Sequence, residues 1–215
     1  GKAYAQIAWT TGTHSTVVKH NQWRQAVAAY LAAVTFADAQ VGKVVDALDS
    51  SDFADNTWIV LWSDHGWTLG EKSHWGKQDL WRGTGQVPLI IVPPQNARPN
   101  GFQPGMQCNA PVNLLDLYPT LIEMCELPER SELEGQSLVP LVRDPDAEWS
   151  EATVMTVGRG SHAVCDRRWR YIHYYDGSEE LYDHDVDPEE WFNLASDEKY
   201  ADVKDRLSKH LVQDK

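Results

Sequence analysis

Cysteine is scarce in this 215-residue chain, and its three cysteines are widely spaced. Cys108, Cys125 and Cys165 form no C-x-x-C pair, so the sequence contains neither a zinc-binding cysteine motif nor a disulfide framework. The simplest interpretation is that all three are buried free thiols.

Long apolar runs and positive charge are also in short supply. No run of about 18 or more apolar residues occurs, so no segment is predicted to span a bilayer. The 19 lysines and arginines stand against 32 aspartates and glutamates, and the net charge of −13 argues against binding to nucleic acid or to anionic membranes. No signal peptide is recognisable, although Gly1 need not be the first residue of the gene product.

Apolar periodicity in the first half of the chain indicates an α/β fold. Apolar residues recur at three- and four-residue steps from about 21 to 48, which predicts one long helix. The apolar runs 57–63 and 87–92 are typical of strands buried on both faces. Together they predict a mainly parallel sheet, whereas residues 1–20 show no clear period and are predicted to be loop or extended chain.

The second half of the chain predicts a different arrangement. Residues 113–127 have helical spacing, with Pro119 in the first turn of the helix. The charged, proline-containing stretch 143–151 predicts a boundary between a domain at 1–145 and a smaller one at 146–215.

The smaller domain is predicted to be an antiparallel sheet with a closing helix at 197–212. Asp176 and Gly177 form a strong hairpin-turn signal between its last two strands. The predicted strands are the short alternating runs 153–157, 162–165, 169–175 and 180–182.

The first buried run leads directly into Asp64, His65 and Gly66. Ligands of an open α/β sheet bind beyond the carboxyl ends of its strands, and a glycine there lets the backbone turn sharply. An unpaired buried carboxylate is costly, so Asp64 is expected to meet a metal, a cation or several N–H donors. A plainer interpretation stays open, in which Asp64 caps a turn and His65 is a hydrogen-bonded core histidine.

The loop that follows carries a local excess of positive charge. From His65 to Arg82 the net charge is +1, with His74 in addition, and in so acidic a chain this reversal suggests an anionic ligand. A metal-binding carboxylate beside cations is what hydrolysis of a phosphoryl or sulfuryl ester requires. Three tryptophans are expected to wall the pocket and exclude water: Trp67, Trp75 and Trp81.

Several ordered sequence blocks resemble the type I, formylglycine-dependent sulfatases. The resemblance extends from about residue 24 to residue 140 and is nearest to the iduronate-2-sulfatase-like branch. The blocks are YLAAV at 30–34, DAQVG at 38–42, SDHGW at 63–67, LGE at 69–71, WGK at 75–77, VPLI at 87–90, NLLDLYPT at 113–120 and LEGQSL at 133–138, with a weaker LYD at 181–183.

The resemblance implies a partial alkaline-phosphatase-like α/β/α sandwich that lacks its N-terminal part, followed by a small C-terminal antiparallel-sheet subdomain. It places Asp64 and His65 at a calcium site and Lys77, the catalytic residue of this chain, on the sulfate group. It also places His74 and Trp75 near the substrate. Because an imidazole nitrogen suits zinc better than calcium, zinc stays an alternative cofactor.

Two positions depart from the family pattern. Arg82 and Gln86 stand where the family usually has an acidic residue and a basic residue, respectively. The rim of the substrate site is therefore expected to differ from that of other members, with Arg82 counted among the candidate substrate-binding residues.

The nucleophile of the family is missing from this sequence. Sulfatases convert a Cys or Ser to formylglycine within a C-x-P-S-R-type motif, and an upstream Asp–Asp pair completes their metal site. After Cys125 the proline and arginine fall one place too late, and the segment after Cys108 lacks the arginine. The resemblance therefore implies that the chain is the C-terminal portion of a sulfatase, with its nucleophile upstream, and that these 215 residues alone are inactive.

Two other functions stay open. One is a zinc-dependent phosphodiesterase or phosphatase of the alkaline phosphatase superfamily, and the other is a homologue that binds sulfated glycans without hydrolysing them. The sulfatase hypothesis implies two partners, a sulfated small molecule or glycan and the missing N-terminal part of the same protein. It also implies a periplasmic, secreted or lysosome-like compartment.

Overall fold

The structure, a computed structural model, describes residues 11–149 and 152–212, which form two compact units. The helical unit comprises residues 11–78 and Gln86–Arg98. The sheet unit comprises Asp79–Gly85 and the described residues from 99 onward. Residues 99–145 belong to the same unit as the C-terminal sheet, and the predicted domain boundary at 145 stays a prediction.

Two consecutive helices begin the helical unit, α1 at Thr11–Lys19 and α2 at Trp23–Asp49. The predicted long helix is confirmed, but the prediction of loop or extended chain is wrong for residues 11–19, and residues 1–10 lie outside the described residues. Helix α1 ends in a Schellman motif, with Asn21 at φ 51° and Gln22 N–H donating to Val17 O at 2.9 Å. Asparagine is among the few non-glycine residues that readily adopt this left-handed conformation.

The two apolar runs form strands that pair with each other, β1 at Ile59–Trp62 and β4 at Leu89–Val92. They are antiparallel, with Ile59 opposite Val92, so the expectation of a mainly parallel sheet is wrong for this pair. Trp62 and Ile90 are about half exposed, so the described residues do not bury both faces. A continuous apolar sequence indicates that both faces of a strand are packed against other residues. It does not indicate which segment of the chain packs against them.

The apolar side chains of helix α2 are also largely exposed. Within the described chain none of its residues is buried. Leu31, Phe36 and Val44 are each more than half exposed.

No helix among the described residues is both long and apolar enough to cross a membrane.

The sheet unit contains the predicted antiparallel sheet, whose four strands pair in sequence order. Its strands are β5 at Thr153–Thr156, β6 at His162–Cys165, β7 at Trp169–His173 and β8 at Glu179–Asp183. The predicted hairpin between β7 and β8 is confirmed, with Gly177 at φ 81° donating its N–H to Tyr174 O at 2.9 Å.

The helices of the sheet unit are short. They are α3 at Arg82–Gly85, α4 at Leu117–Met124, α5 at Val139–Arg143 and α6 at Ala201–Ser208. Pro119 lies in the first turn of α4, as predicted. The closing helix α6 is shorter than the predicted 197–212, because a 3-10 turn at Glu198–Tyr200 precedes it and Ser208 ends it.

The core of the sheet unit lies on both faces of the sheet. Neighbouring strand residues point to opposite faces, and Ala163 and Val164 accordingly belong to two different apolar clusters. Leu80 and Trp81 pack on one face, and Leu207 of α6 packs on the other. The cysteines do not contribute fully buried thiols, since Cys108 and Cys125 are exposed and Cys165 is partly buried.

A buried ionic group attaches the Asp79–Gly85 segment to the sheet. Glu190, only 1% exposed, forms an ion pair with Arg170, whose Nε lies 2.8 Å from Oε1. It also accepts hydrogen bonds from His184 Nε2 at 2.8 Å and from Arg82 N–H at 2.9 Å. Burial raises the pKa of Glu190, but the hydrogen bond from His184 and the charge of Arg170 outweigh burial and place this pKa below its usual value.

We expect Glu190→Gln to lower the free energy of unfolding by about 3–5 kcal/mol, because it leaves the buried Arg170 charge without its counter-charge. The folded pKa of Glu190 is depressed, so its contribution is complete above the unfolded value of about 4.3 and is lost as the pH falls through the folded value. Denaturant unfolding between pH 7 and pH 3 measures both effects.

The neighbouring exposed carboxylate provides a matched control, since Glu189→Gln should change stability by no more than about 0.5 kcal/mol. Equal stability losses in the two variants would contradict the structural role given to Glu190.

Candidate active site

The end of β1 presents a carboxylate beside an imidazole. After Ser63 the chain turns, and Asp64 Oδ1 accepts a hydrogen bond from the N–H of His65 at 3.1 Å. The side chain of Asp64 stays 73% exposed, and its Oδ2 lies 3.5 Å from Nε2 of His65. Asp64 therefore caps the turn through Oδ1 alone, as the plainer interpretation predicts. Its Oδ2 is left available to a ligand.

The backbone of Gly66 determines which nitrogen of His65 carries the proton. Nδ1 of His65 lies 2.8 Å from the carbonyl oxygen of Gly66, and a carbonyl can only accept a hydrogen bond. Nδ1 therefore carries hydrogen, which in a neutral ring leaves the lone pair on Nε2. That nitrogen lies 2.9 Å from Nζ of Lys77, an ammonium that can only donate. In this tautomer Nε2 is the accepting nitrogen, which is the one that can bind a metal.

A small hairpin returns Lys77 to this point. Strands β2 at Thr68–Leu69 and β3 at Trp75–Gly76 pair antiparallel, with Thr68 opposite Gly76. Between them, Lys72 and Ser73 are both left-handed, with φ of 50° and 62°. This tight reversal places Lys77 beside His65 although twelve positions separate them in the sequence.

An aromatic cluster supports the hairpin from the helices. Trp75 Nε1–H donates to Nδ1 of His14 at 3.2 Å, and the ring of Trp23 contacts both rings at centroid distances of 5.2 and 5.7 Å. Gly70 lies directly against Trp23, where a Cβ would come within 2.2 Å of the indole. Its φ of 113° also requires glycine, so this contact admits no side chain.

A second aromatic contact borders His65. Trp67 stacks on Tyr30 of α2 with centroids 6.5 Å apart, and its ring lies 6.3 Å from that of His65. Trp67 is about two-fifths exposed, so one part of its surface faces solvent beside the imidazole.

The structure brings three of the six predicted site residues together: Asp64, His65 and Lys77. Asp64 and Lys77 both contact His65, whereas His74 and Trp75 are buried at 4% and 6% exposure and bond to the protein itself. Arg82 belongs to the sheet unit, where its Nη1 donates to Pro188 O at 3.3 Å. The substrate roles predicted for His74, Trp75 and Arg82 stay predictions.

Sequence analysis does not single out Thr68 or His14 as parts of this site. Thr68 is 4% exposed, and its Oγ1 donates to Gly76 O at 2.9 Å across the strand pair. A threonine in a two-residue strand has no sequence pattern from which this contact could be predicted. His14 meets Trp75 across 61 sequence positions, and no local pattern links residues so far apart.

The donor set fits part of a divalent metal site. One carboxylate oxygen of Asp64 and Nε2 of His65 face the same space, and the hydrogen bond from Nδ1 to Gly66 orients the ring as metal-binding histidines require. Among the residues that the structure describes, no group of three or more His, Cys, Asp or Glu side chains could hold a metal. Asp64 and His65 are thus two candidate ligands in the described chain, fewer than the four to eight of a complete protein site.

Comparison with known proteins identifies the family. The family model described as Sulfatase matches residues 2–126, and the model described as N-sulphoglucosamine sulphohydrolase, C-terminal, matches residues 70–215. A Sulfatase from Formosa agariphila is 39% identical over 183 residues, covering 85% of this chain and 35% of the relative. Arylsulfatase K from Gallus gallus is 30% identical over 203 residues, covering 87% and 36%.

Solved structures agree with this assignment. A protein solved with its substrate D-glucosamine-2-N,6-O-disulfate has a TM-score of 0.77 and 25% identity, covering 87% of this chain and 40% of that one. The phosphonate monoester hydrolase of Agrobacterium radiobacter has a TM-score of 0.66 and 28% identity, covering 80% and 37%. The chain thus spans about a third to two-fifths of the proteins it matches.

These similarities confirm the predicted fold class, an alkaline-phosphatase-like α/β fold with a small antiparallel sheet. Members of the family generally use a divalent metal, which agrees with the carboxylate and imidazole at the end of β1. The chain belongs to the sulfatase family.

Proposed function

We propose that this chain is the C-terminal portion of a sulfatase that hydrolyses sulfate esters, with the formylglycine nucleophile on the preceding part of the polypeptide. The observation that carries the proposal is the approach of the Lys77 ammonium to 2.9 Å from His65, whose neighbour Asp64 presents an exposed carboxylate. We place the protein in the iduronate-2-sulfatase-like branch, on the SDHGW and WGK blocks at 63–67 and 75–77.

Asp64 and His65 would hold the metal in this proposal. Asp64 would offer a carboxylate oxygen, and His65 would offer the Nε2 lone pair that accepts from Lys77 in this structure, so metal binding would release the ammonium toward the sulfate group. Further ligands would come from the preceding part of the polypeptide. Calcium is the proposed ion because of the resemblance to the type I sulfatases, and zinc is the alternative because an imidazole nitrogen suits zinc better. When bound, the cation polarises a sulfate oxygen and stabilises the negative charge that develops as the ester bond breaks.

Lys77 would bind the sulfate group itself. Its ammonium is a compact charge with three donors, and it lies beside the proposed metal ligands. It can donate to a nonbridging sulfate oxygen and offset the charge that grows there during cleavage, which makes it the catalytic residue of this chain.

We propose a sulfated glycan or sulfated small molecule as the substrate, with His74, Trp75 and Arg82 near it. The burial of His74 and Trp75 supports an indirect role, in which they shape the loop that carries Lys77. The relative solved with a disulfated glucosamine supports the glycan class.

The second proposed partner is the N-terminal part of the same protein. The exposed apolar surface of α2 and of the β1–β4 pair supports this, because such surface is normally covered. We expect a periplasmic, secreted or lysosome-like compartment for the whole protein.

A second candidate function is hydrolysis of a phosphate or phosphonate ester. The similarity to a phosphonate monoester hydrolase favours it, since both reactions need a metal and a cation at an anionic tetrahedral group. Comparison of sulfate, phosphate and phosphonate esters as substrates distinguishes the candidates.

Lys77→Ala in the full-length protein should lower kcat for a fluorogenic sulfate ester by about 100- to 1,000-fold, because a donor to the developing charge is lost. Lys43→Ala serves as the matched control, since Lys43 is an exposed lysine of α2 that bonds to Gln40 at 3.1 Å. An unchanged kcat in K77A would exclude Lys77 from the reaction.

Asp64→Asn should weaken metal binding by the full-length protein at least about tenfold, because it replaces a charged ligand with a neutral amide. Isothermal titration with calcium and, separately, with zinc measures the effect and decides between the two ions. Equal affinities in wild type and variant would show that Asp64 is not a metal ligand.

The purified 215-residue chain should not hydrolyse a sulfate ester, because it contains only part of the metal site and no formylglycine motif. A continuous fluorescence assay at high protein concentration tests this. Turnover that disappears in the K77A variant of the same chain would refute the proposed division of the active site.

A further inference from the structure

We propose that Thr68 and His74 are positioning residues that fix the backbone of Lys77 from both sides. This inference rests on the proposed function of Lys77. Thr68 Oγ1 donates to the carbonyl oxygen of Gly76 at 2.9 Å, and His74 Nε2 donates to the carbonyl oxygen of Lys77 at 3.1 Å. We call this pair of hydrogen bonds the carbonyl clamp.

The two carbonyls of the clamp belong to the two peptide units that flank the Cα of Lys77. Each peptide unit is planar, so anchoring its carbonyl oxygen fixes the orientation of the whole plane. With both planes fixed, φ and ψ of Lys77 are determined, and with them the direction in which its side chain leaves the backbone. A lysine side chain is long and flexible, so this direction decides what the ammonium reaches.

The backbone around Lys77 needs such support. Gly76 has φ 106° and Gln78 has φ 71°, so left-handed residues stand on both sides of Lys77. For a non-glycine residue such as Gln78 this conformation is strained, because Cβ approaches the following carbonyl oxygen. Strained positions of this kind persist only where surrounding contacts hold them, and the clamp supplies two contacts at this turn.

Both donors are buried, which suits a positioning role better than contact with substrate. Thr68 and His74 are each 4% exposed. Hydrogen bonds in such surroundings are shielded from competing water, so the clamp persists while Lys77 itself is exposed.

Two matched pairs of variants of the full-length protein test the clamp. Thr68→Val removes the hydroxyl at nearly constant volume, whereas Thr68→Ser keeps it. His74→Asn places its amide nitrogen near the position of Nδ1, whereas His74→Gln reaches the position of Nε2. We expect T68V and H74N to lower kcat for a fluorogenic sulfate ester by about 100-fold, with T68S and H74Q recovering most of it.

Double variants that combine T68V or H74N with Lys77→Ala distinguish an effect on the position of Lys77 from a general loss of stability. If the clamp acts only through Lys77, T68V and H74N add no further loss of kcat in the K77A background. Thr120→Val is the matched structural control, because Thr120 is a buried threonine of the sheet unit whose hydroxyl accepts from Leu138 N–H at 2.8 Å. It should lower the melting temperature without lowering kcat.

The outcomes distinguish this inference from the proposed function. Wild-type kcat in K77A overturns both the role of Lys77 and the clamp. A large loss in K77A with wild-type kcat in T68V and H74N overturns the clamp alone. Losses in T68V and H74N that persist in the K77A background also overturn it, because they show that the two residues act independently of Lys77.

Discussion

The hydrogen bond from Nδ1–H of His65 to the carbonyl of Gly66 is the contact on which the candidate active site depends. It places the lone pair of the ring on Nε2, the nitrogen that meets Lys77 and lies near the carboxylate of Asp64. With the proton on the other nitrogen, Nε2 would be a donor facing an ammonium, and it could not bind a metal. A glycine backbone thus sets the chemistry of the imidazole.

The loop around Lys77 combines local strain with dense support. Several of its residues are left-handed, including the non-glycine residues Lys72, Ser73 and Gln78. The compensating contacts come from the packing of Trp23 on Gly70 and from the buried donors Thr68 and His74. Strain of this kind is common where a fold must present one side chain in one direction, and here that side chain is Lys77.

The two units differ in how completely they bury their apolar surface. The sheet unit encloses apolar clusters on both faces of its sheet and anchors Asp79–Gly85 through the buried carboxylate of Glu190. In the helical unit, α2 and the β1–β4 pair remain largely exposed. A chain that spans about a third to two-fifths of its relatives is expected to leave such surface for the rest of the protein to cover.

Sequence alone determined the features that depend on local pattern. Helical periodicity located α2, alternation and turn residues located the strands β5 to β8, and the ordered blocks identified the family with Asp64, His65 and Lys77 as candidates. The tertiary structure decided the antiparallel pairing of β1 with β4, the tautomer of His65 and the contacts of His14 and Thr68. These features depend on contacts between residues that are distant in sequence, or on the position of a single carbonyl. Neither kind of contact produces a repeating pattern in the amino-acid sequence, so sequence periodicity could not predict them.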